Sequence, residues 1–435
     1  MIWRSLKLAV LASLVALTGA SCGPRKPARQ PNVVLIVIDS LRADHLAYYG
    51  YDVDTTPFLS TVIPRGVAFR RVHSTSSWAA PAAASLVTSL YPAQHGVHSG
   101  VLATRTLQDI DPRVTLNRLP AGVGTMAEAL RGAGYSTWGV SDDVDVSPDL
   151  GFDRGFDRFE HRTEIGASVV NAIVRGWAGE IRGAAPYFLY IHYSDPRRPY
   201  VTRAPWYTPR RREREDAMAA YDSEISYVDD HVRALYELLG WDRDTWLIVM
   251  SVHGEEFRDH GDWYHGRTLH GEVLSVPLIF ASAAGDLKPR RVEEPISIVD
   301  VLPTVREIAG LAPDPADMGL SLMPVIRGDA SPSLDRVVFA ELRSPPWYGG
   351  REIKAAMRGH LKYVLTLPDR EELFNIAADP GESRDLAWNR PDLRAELRGE
   401  IERLEAEAPR YADEPLRVVI DPRTVERLRS AVYAN

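Results

Sequence analysis

The chain has 435 residues, 45% of them hydrophobic and 25% charged, which is ordinary for a soluble globular protein. That length can bury a large core and allows two or three structural units. Its 51 basic and 59 acidic residues give a net charge of −8, which excludes the basic footprint of a nucleic-acid binder.

In chain order, Arg4 and Lys7 come first and are followed by an almost wholly apolar run, Leu8–Ala20. The run is shorter than a membrane span and has the layout of a signal-peptide core. It ends in Gly19-Ala20-Ser21-Cys22, and Cys22 is the only cysteine, so no internal disulfide can form. The position of Cys22 resembles the lipid-bearing cysteine of a bacterial lipoprotein, although Gly19 departs from the branched aliphatic usual there. Simple cleavage near Ala20 is the alternative. The expectation is a signal peptide over 1–22, a polar, proline-rich tether over 23–31, and a lipid anchor on Cys22. Such a protein is secreted across the inner membrane and held at a membrane, in the periplasm or at the cell surface. Mass spectrometry of the mature N-terminus is expected to find lipid on Cys22. An unmodified thiol, or a terminus elsewhere, would overturn this.

From Asn32 the pattern alternates between strand and helix. Val33–Ile38, Tyr135–Val140, Tyr187–Tyr193, Thr245–Ser251 and Val276–Ala281 are short apolar runs that read as buried strands. Gly124–Ala133 and Ala217–Leu239 read as helices, the second placing Tyr221, Ile225, Val228, Val232, Leu235 and Leu239 at helical spacing. The charge run Arg210–Asp216 reads as a solvated loop or a helix start. Strands separated by helices predict an α/β fold with a mostly parallel central sheet covered on both faces. Beyond about Ser331, Arg336–Glu341, Ala355–Arg358 and Leu361–Leu365 read as short strands of a small antiparallel unit, and Pro391–Arg403 as a helix. The implied division is 32–330 for the α/β domain, 331–390 for the small β unit and 391–435 for a helical tail.

Four stretches carry residues suited to chemistry. In the first, the strand ending at Ile38 runs into Asp39-Ser40-Leu41-Arg42-Ala43-Asp44-His45. A carboxylate directly after a buried strand lies at the carboxyl edge of the sheet, where it can hold a cation against an oxyanion. A helix N-cap is the plain alternative for Asp39 or Ser40. In the second, Thr75–Gly96, small residues open a helix that closes in Tyr91-Pro92 and His95-Gly96. The amides of a helix N-terminus favour sulfate or phosphate. The third runs from Tyr190 to Tyr200 and contains His192, Asp195 and Arg197. His192 reads as a strand histidine or a ligand, and Arg197 as an exposed charge or a bidentate anion clamp. The fourth holds His253, His260, His265 and His270, which alone are compatible with a zinc cluster.

Taken together, these motifs resemble the sulfatase family, and two further blocks extend the likeness. Gly151–Phe159 resembles the family's Gly-Phe-Asp repeat, and Glu372–Ala387 its Glu-Leu-Tyr-Asp-Leu-x-x-Asp-Pro-x-Glu motif. The resemblance implies the alkaline-phosphatase-like fold, with a large α/β domain and a smaller four-stranded C-terminal unit. It also implies one divalent cation, calcium by family habit with zinc the lesser alternative. Asp39 and His253 fall at ligand positions, while Ser40 and Val252 replace two carboxylates there. Aligning on Pro81 and on Tyr91-Pro92 with His95-Gly96 puts Ala79 at the nucleophile position, Ala82 at the usual Ser and Ala83 at the usual Arg. Alanine has no lone pair with which to attack, so no intact catalytic residue is expected. Ser76, Ser77 and Ser85 are the substitute hydroxyls, each needing a shift of register. His192, Arg197 and His265 are the implied substrate contacts, with Arg197 replacing a histidine.

The expectation is a nominal sulfuric ester hydrolase that is weak or inactive, its cation weakly held or absent. Two alternatives stand beside it: a non-catalytic binder of a sulfated or other anionic glycan or lipid, and a phosphoesterase or phosphonate hydrolase on the same fold. The implied partner is a sulfated or phosphorylated small molecule or glycan. Oligomeric state is left open by the sequence.

Overall fold

The computed structural model describes residues 30–101, 104, 116–283, 287–292, 295–329, 333, 335–344, 350–407 and 411. Cys22, the signal segment, the tether up to residue 29 and the tail beyond 411 lie outside the described residues.

Strand β1 (Asn32–Ile38) sets the layout. Val33, Leu35 and Val37 lie in one apolar core, and Val34, Ile36 and Ile38 in another. Side chains alternate across a strand, so a strand apolar on both faces needs cover on both sides. Ten more strands follow in the main body: β2 (Gly66–His73), β3 (Ser136–Ser141), β4 (Arg158–His161), β5 (Tyr187–Tyr193), β6 (Thr245–Met250), β7 (Glu256–Phe257), β8 (Trp263–Tyr264), β9 (Ser275–Ser282), β10 (Arg290–Val292) and β11 (Ile296–Ser297). They form a nine-stranded sheet in the order β10-β2-β9-β6-β1-β5-β3-β4, with β11 also on β2, and a separate β7–β8 ribbon. The sheet is parallel apart from β9, which runs antiparallel to both β2 and β6. Its two ends are short strands: β4 has four residues and carries Arg158 and Glu160, and β10 has three and begins with Arg290.

The four longest described helices are α1 (Ala79–Thr88), α2 (Ala167–Gly183), α3 (Glu213–Leu239) and α4 (Pro391–Glu407). α1 buries Ala80, Ala82, Ala83, Ala84 and Leu86 in the first core. α2 and α3 cover the other face, α2 through Val170, Val174, Trp177 and Ile181 and α3 through the six residues expected from its spacing. The charge run marks the start of α3, and Glu213, Glu215 and Asp216 in its first turn complement the helix dipole.

The C-terminal unit is an antiparallel sheet, β12 (Val337–Arg343), β13 (Glu352–Arg358), β14 (Leu361–Thr366) and β15 (Arg370–Asn375), in sequential order. Val338, Ala340, Leu342, Ile353 and Phe374 pack with Leu269 and Leu274 of the main body, and Ala356, Tyr363 and Leu373 pack against Leu397 and Ile401 of α4.

A charged clamp reinforces this docking. Lys362 Nζ is 2.8 Å from both carboxylate oxygens of the buried Glu382, which also lies 2.9 Å from His270 Nδ1. His270 stacks on His260 with ring centroids 3.7 Å apart. His260 Nδ1 sits 2.7 Å from Glu272 and its Nε2 sits 3.1 Å from the Gly381 carbonyl, so both ring nitrogens face acceptors and the ring is protonated. The hydrogen bond to Glu272 lifts His260 from 6.5 to about 9. Burial would raise Glu382, but Lys362 and His270 hold it down at about 2 against an ordinary 4.5.

The His260 contribution is therefore complete below pH 6.5 and disappears as pH climbs through about 9. The Glu382 contribution is complete above pH 4.5 and is lost as pH falls toward about 2. Urea midpoints measured against pH are expected to be highest between these limits, and His260→Gln to flatten the alkaline decline. An unchanged alkaline slope in that variant would show that the clamp proton does not stabilise the docked sheet.

Candidate active site

β6, β1, β5 and β3 are adjacent and parallel, so their carboxyl ends meet at one edge. Asp39 follows β1, Asp142, Asp143 and Asp145 follow β3, His192 and Arg197 lie at the end of β5, and Val252 and His253 follow β6. Ligands bind at such edges in α/β sheets.

Asp39 is fully buried. Its Oδ1 lies 3.0 Å from His253 Nε2 and its Oδ2 3.7 Å from Arg197 Nη1. Arg197 Nη1 donates to Asp143 Oδ2 at 2.7 Å, and Arg197 Nη2 lies 3.9 Å from Glu164. The other Asp143 oxygen accepts from the Asp145 amide at 2.7 Å. Burial opposes the charge on Asp39, but His253 and Arg197 hold its carboxyl well below the usual range. His253 is correspondingly raised by Asp39 despite its own burial. Burial, then the neighbouring Asp195, pushes Asp142 up, and burial with Asp143 pushes Asp145 up to about 7. His192 is lowered by burial, and its Nδ1 is 2.8 Å from the Tyr190 hydroxyl.

Ala79 is the first residue of α1 and is buried. Trp78 before it donates from Nε1 to Asp145 at 3.2 Å and meets His265 edge-on with centroids 5.8 Å apart. Gly266 makes room for the indole: its φ is +77°, and a Cβ there would fall 2.0 Å from Trp78 Cε3. His265 packs on His253 at 4.3 Å between centroids, with Nδ1 3.3 Å from Glu255. Ser40 is buried in the left-handed region at φ 57°, and its carbonyl accepts from the Tyr221 hydroxyl. Val252 is fully buried, with its carbonyl accepting from Ser74 Oγ.

Among the substitute hydroxyls, Ser85 Oγ is 3.0 Å from the buried His95 Nε2, and Ser77 Oγ donates to the Thr268 carbonyl. Ser76 Oγ has no hydrogen-bond partner but is fully buried. The four histidines of the fourth stretch separate into two pairs, His253–His265 at the sheet edge and His260–His270 in the clamp.

Sequence reasoning passed over Asp143, Asp145, Glu255 and Trp78. The signal for Asp143 was present, because an acidic run directly after a buried strand is the pattern that singled out Asp39. One grouping able to hold a metal stands out among the described residues: Asp39, Asp143 and His192 each place one donor atom within 4.8 Å of the others. Asp39 Oδ2 and His192 Nε2 are buried without a hydrogen-bond partner, the condition a bound cation relieves, so the residues fit a divalent ion.

A mostly parallel sheet with acidic and imidazole groups along its carboxyl edge, joined to a four-stranded antiparallel unit, defines the alkaline-phosphatase-like superfamily fold. The sequence profile described as Sulfatase matches residues 31–311, and the protein belongs to the sulfatase family. A choline-sulfatase of Rhizobium meliloti is 32% identical over 178 residues, 39% of this chain and 33% of that protein. A Delta 4,5-hexuronate-2-O-sulfatase of Bacteroides thetaiotaomicron is 28% identical over 188 residues, 42% of this chain and 39% of that protein. The chain thus matches well under two thirds of the length of either relative. A crystal structure of a phosphonate monoester hydrolase from Agrobacterium radiobacter shares the fold, with a TM-score of 0.69 at 20% identity over 89% of this chain and 97% of that one. The sulfatase family generally binds a divalent cation, and the grouping at the sheet edge suits one.

Proposed function

We propose that this protein is a sulfatase-family member that has lost the family's covalent turnover and retains a polar pocket for a small sulfated or phosphorylated molecule or glycan. The observation that carries the reading is Ala79 at the first turn of α1, where the family likeness implies the attacking side chain. A methyl group cannot form the covalent ester, and the substitute hydroxyls do not present themselves: Ser77 donates to the Thr268 carbonyl, and Ser76 and Ser85 are fully buried. Arg197 is committed to Asp143 and Asp39, so an anion draws on it only in competition with those carboxylates. His265, at the rim beside Trp78, is the other contact for such a ligand. When bound, a divalent cation would supply charge to an ester oxygen, and Asp39 is the residue best placed to hold it through its unpartnered Oδ2.

A second reading, hydrolysis of phosphate or phosphonate esters without a protein nucleophile, is favoured by one observation, the Asp39–Asp143–His192 grouping. The test is purified protein presented with 4-nitrophenyl sulfate, phosphate and phenylphosphonate, with binding followed by calorimetry and turnover by absorbance. Binding without sulfate-ester turnover supports the first reading. Robust sulfate-ester turnover, or no binding of any of the three, defeats it.

A further inference from the structure

We propose that this chain holds its divalent cation on Asp39, Asp143 and His192, a donor set drawn from three neighbouring strand ends, in place of the Asp39–His253 pair expected from the sequence. Ser40 and Val252 remove two anionic oxygens from the family's ligand positions. The end of β3 returns one through Asp143, and β5 adds an imidazole through His192. The three donors lie within 4.8 Å of one another, a span one ion with bonds of about 2.0–2.3 Å can bridge. His253 is not in this grouping. It contacts Asp39 Oδ1 at 3.0 Å and acts as a flanking partner of that carboxylate.

Three features give the set the character of a built site. Asp39 Oδ2 and His192 Nε2 are fully buried without a hydrogen bond, and a group left in that condition is costly unless something satisfies it. The other ring nitrogen, His192 Nδ1, is engaged by the Tyr190 hydroxyl at 2.8 Å, which fixes the ring and leaves Nε2 for the ion. Asp143 is held by the Asp145 amide on one oxygen and by Arg197 on the other, each at 2.7 Å. That fixes its carboxylate while leaving lone pairs available. Two carboxylates and one imidazole suit zinc or manganese better than calcium, which prefers six or more oxygens. The proposal holds whether or not the chain turns over an ester.

The test is metal binding by the full chain. Zinc, manganese and calcium are titrated by calorimetry into the wild type and into Asp143→Asn, His192→Gln, Tyr190→Phe, Arg197→Met and His253→Gln. The wild type is expected to prefer zinc or manganese over calcium. Asp143→Asn and His192→Gln should each weaken zinc by about 100-fold or more, and Tyr190→Phe by about tenfold. Arg197→Met should tighten binding by about tenfold, because it removes a positive charge that competes with the ion for Asp143 and Asp39. Anomalous diffraction from zinc-soaked wild-type crystals locates the ion without relying on any variant folding. A peak bonded to Asp39, Asp143 and His192 supports the proposal. A peak between Asp39 and His253, no peak at all, or zinc affinity unmoved by Asp143→Asn and His192→Gln overturns it.

Discussion

Purified protein is expected to hydrolyse 4-nitrophenyl sulfate at a rate indistinguishable from buffer, with any divalent cation supplied. In enzymes that use a covalent intermediate, removing the nucleophile alone costs about six orders of magnitude in kcat. Here the loss is compounded. Ala82 and Ala83 stand where the resemblance implies Ser and Arg, and α1 is fully packed around them. Arg197 faces carboxylates at 2.7 and 3.7 Å. Asp39 and Asp143 lie fully buried beside Arg197, and their charge opposes an anion brought up to that guanidinium. The double variant Ala79→Ser with Val252→Asp is expected to restore only weak, metal-dependent phosphoesterase activity, because it returns an attacking oxygen and an anionic ligand but leaves the acidic edge in place. Assays of both proteins against sulfate, phosphate and phosphonate esters decide the matter. Wild-type sulfatase turnover that survives alanine replacement of Ser76, Ser77 and Ser85 would place the nucleophile elsewhere or show that none is needed.

Lys362→Met is expected to destabilise the protein by about 3–5 kcal/mol, the usual result of removing one partner of a buried ion pair. Lys362 and Glu382 are both almost wholly buried, and the ammonium lies equidistant from the two carboxylate oxygens. Without it, Glu382 keeps only its contact to His270. The companion variant Lys362→Met with Glu382→Leu should recover most of the loss, since replacing both charges by apolar groups removes the desolvation cost with the attraction. Denaturant unfolding of the wild type, both single variants and the double variant gives the coupling directly. Equal stability of Lys362→Met and the wild type would show that the pair contributes nothing to docking the C-terminal sheet.

The parts of the fold with clean periodicity were legible in the sequence. β5 was bounded to the residue, and the six apolar positions of α3 all lie in the core. β2 was missed because Arg70 and Arg71 interrupt its apolar pattern at a bulge between Phe69 and Val72. α2 was missed because Gly176 and Gly179 lower its helical propensity, which tertiary burial of Trp177 and Ile181 overrides. The antiparallel course of β9 has no local signature, since its apolar run reads the same in either direction.

At the candidate site, Asp39 and His253 were found through their place beside strands, and the structure sets them 3.0 Å apart. Asp143 carries the same strand-end signal as Asp39, but its nearness to Asp39 follows only from the strand order. The split of the four histidines into two pairs likewise depends on the chain turning between Gly254 and His270, which spacing alone does not encode.

The two short terminal strands of the large sheet bear on how this protein behaves in company. A sheet edge offers unpaired amides and carbonyls that another chain can join, and long flat apolar edges invite that. Here one end is a four-residue strand carrying Arg158 and Glu160, and the other a three-residue strand opening on Arg290. Neither gives a second molecule enough apolar, in-register backbone to extend the sheet. Self-association by adding strands to the ends of the large sheet is therefore disfavoured, and contacts of the main body are left to its side-chain surfaces.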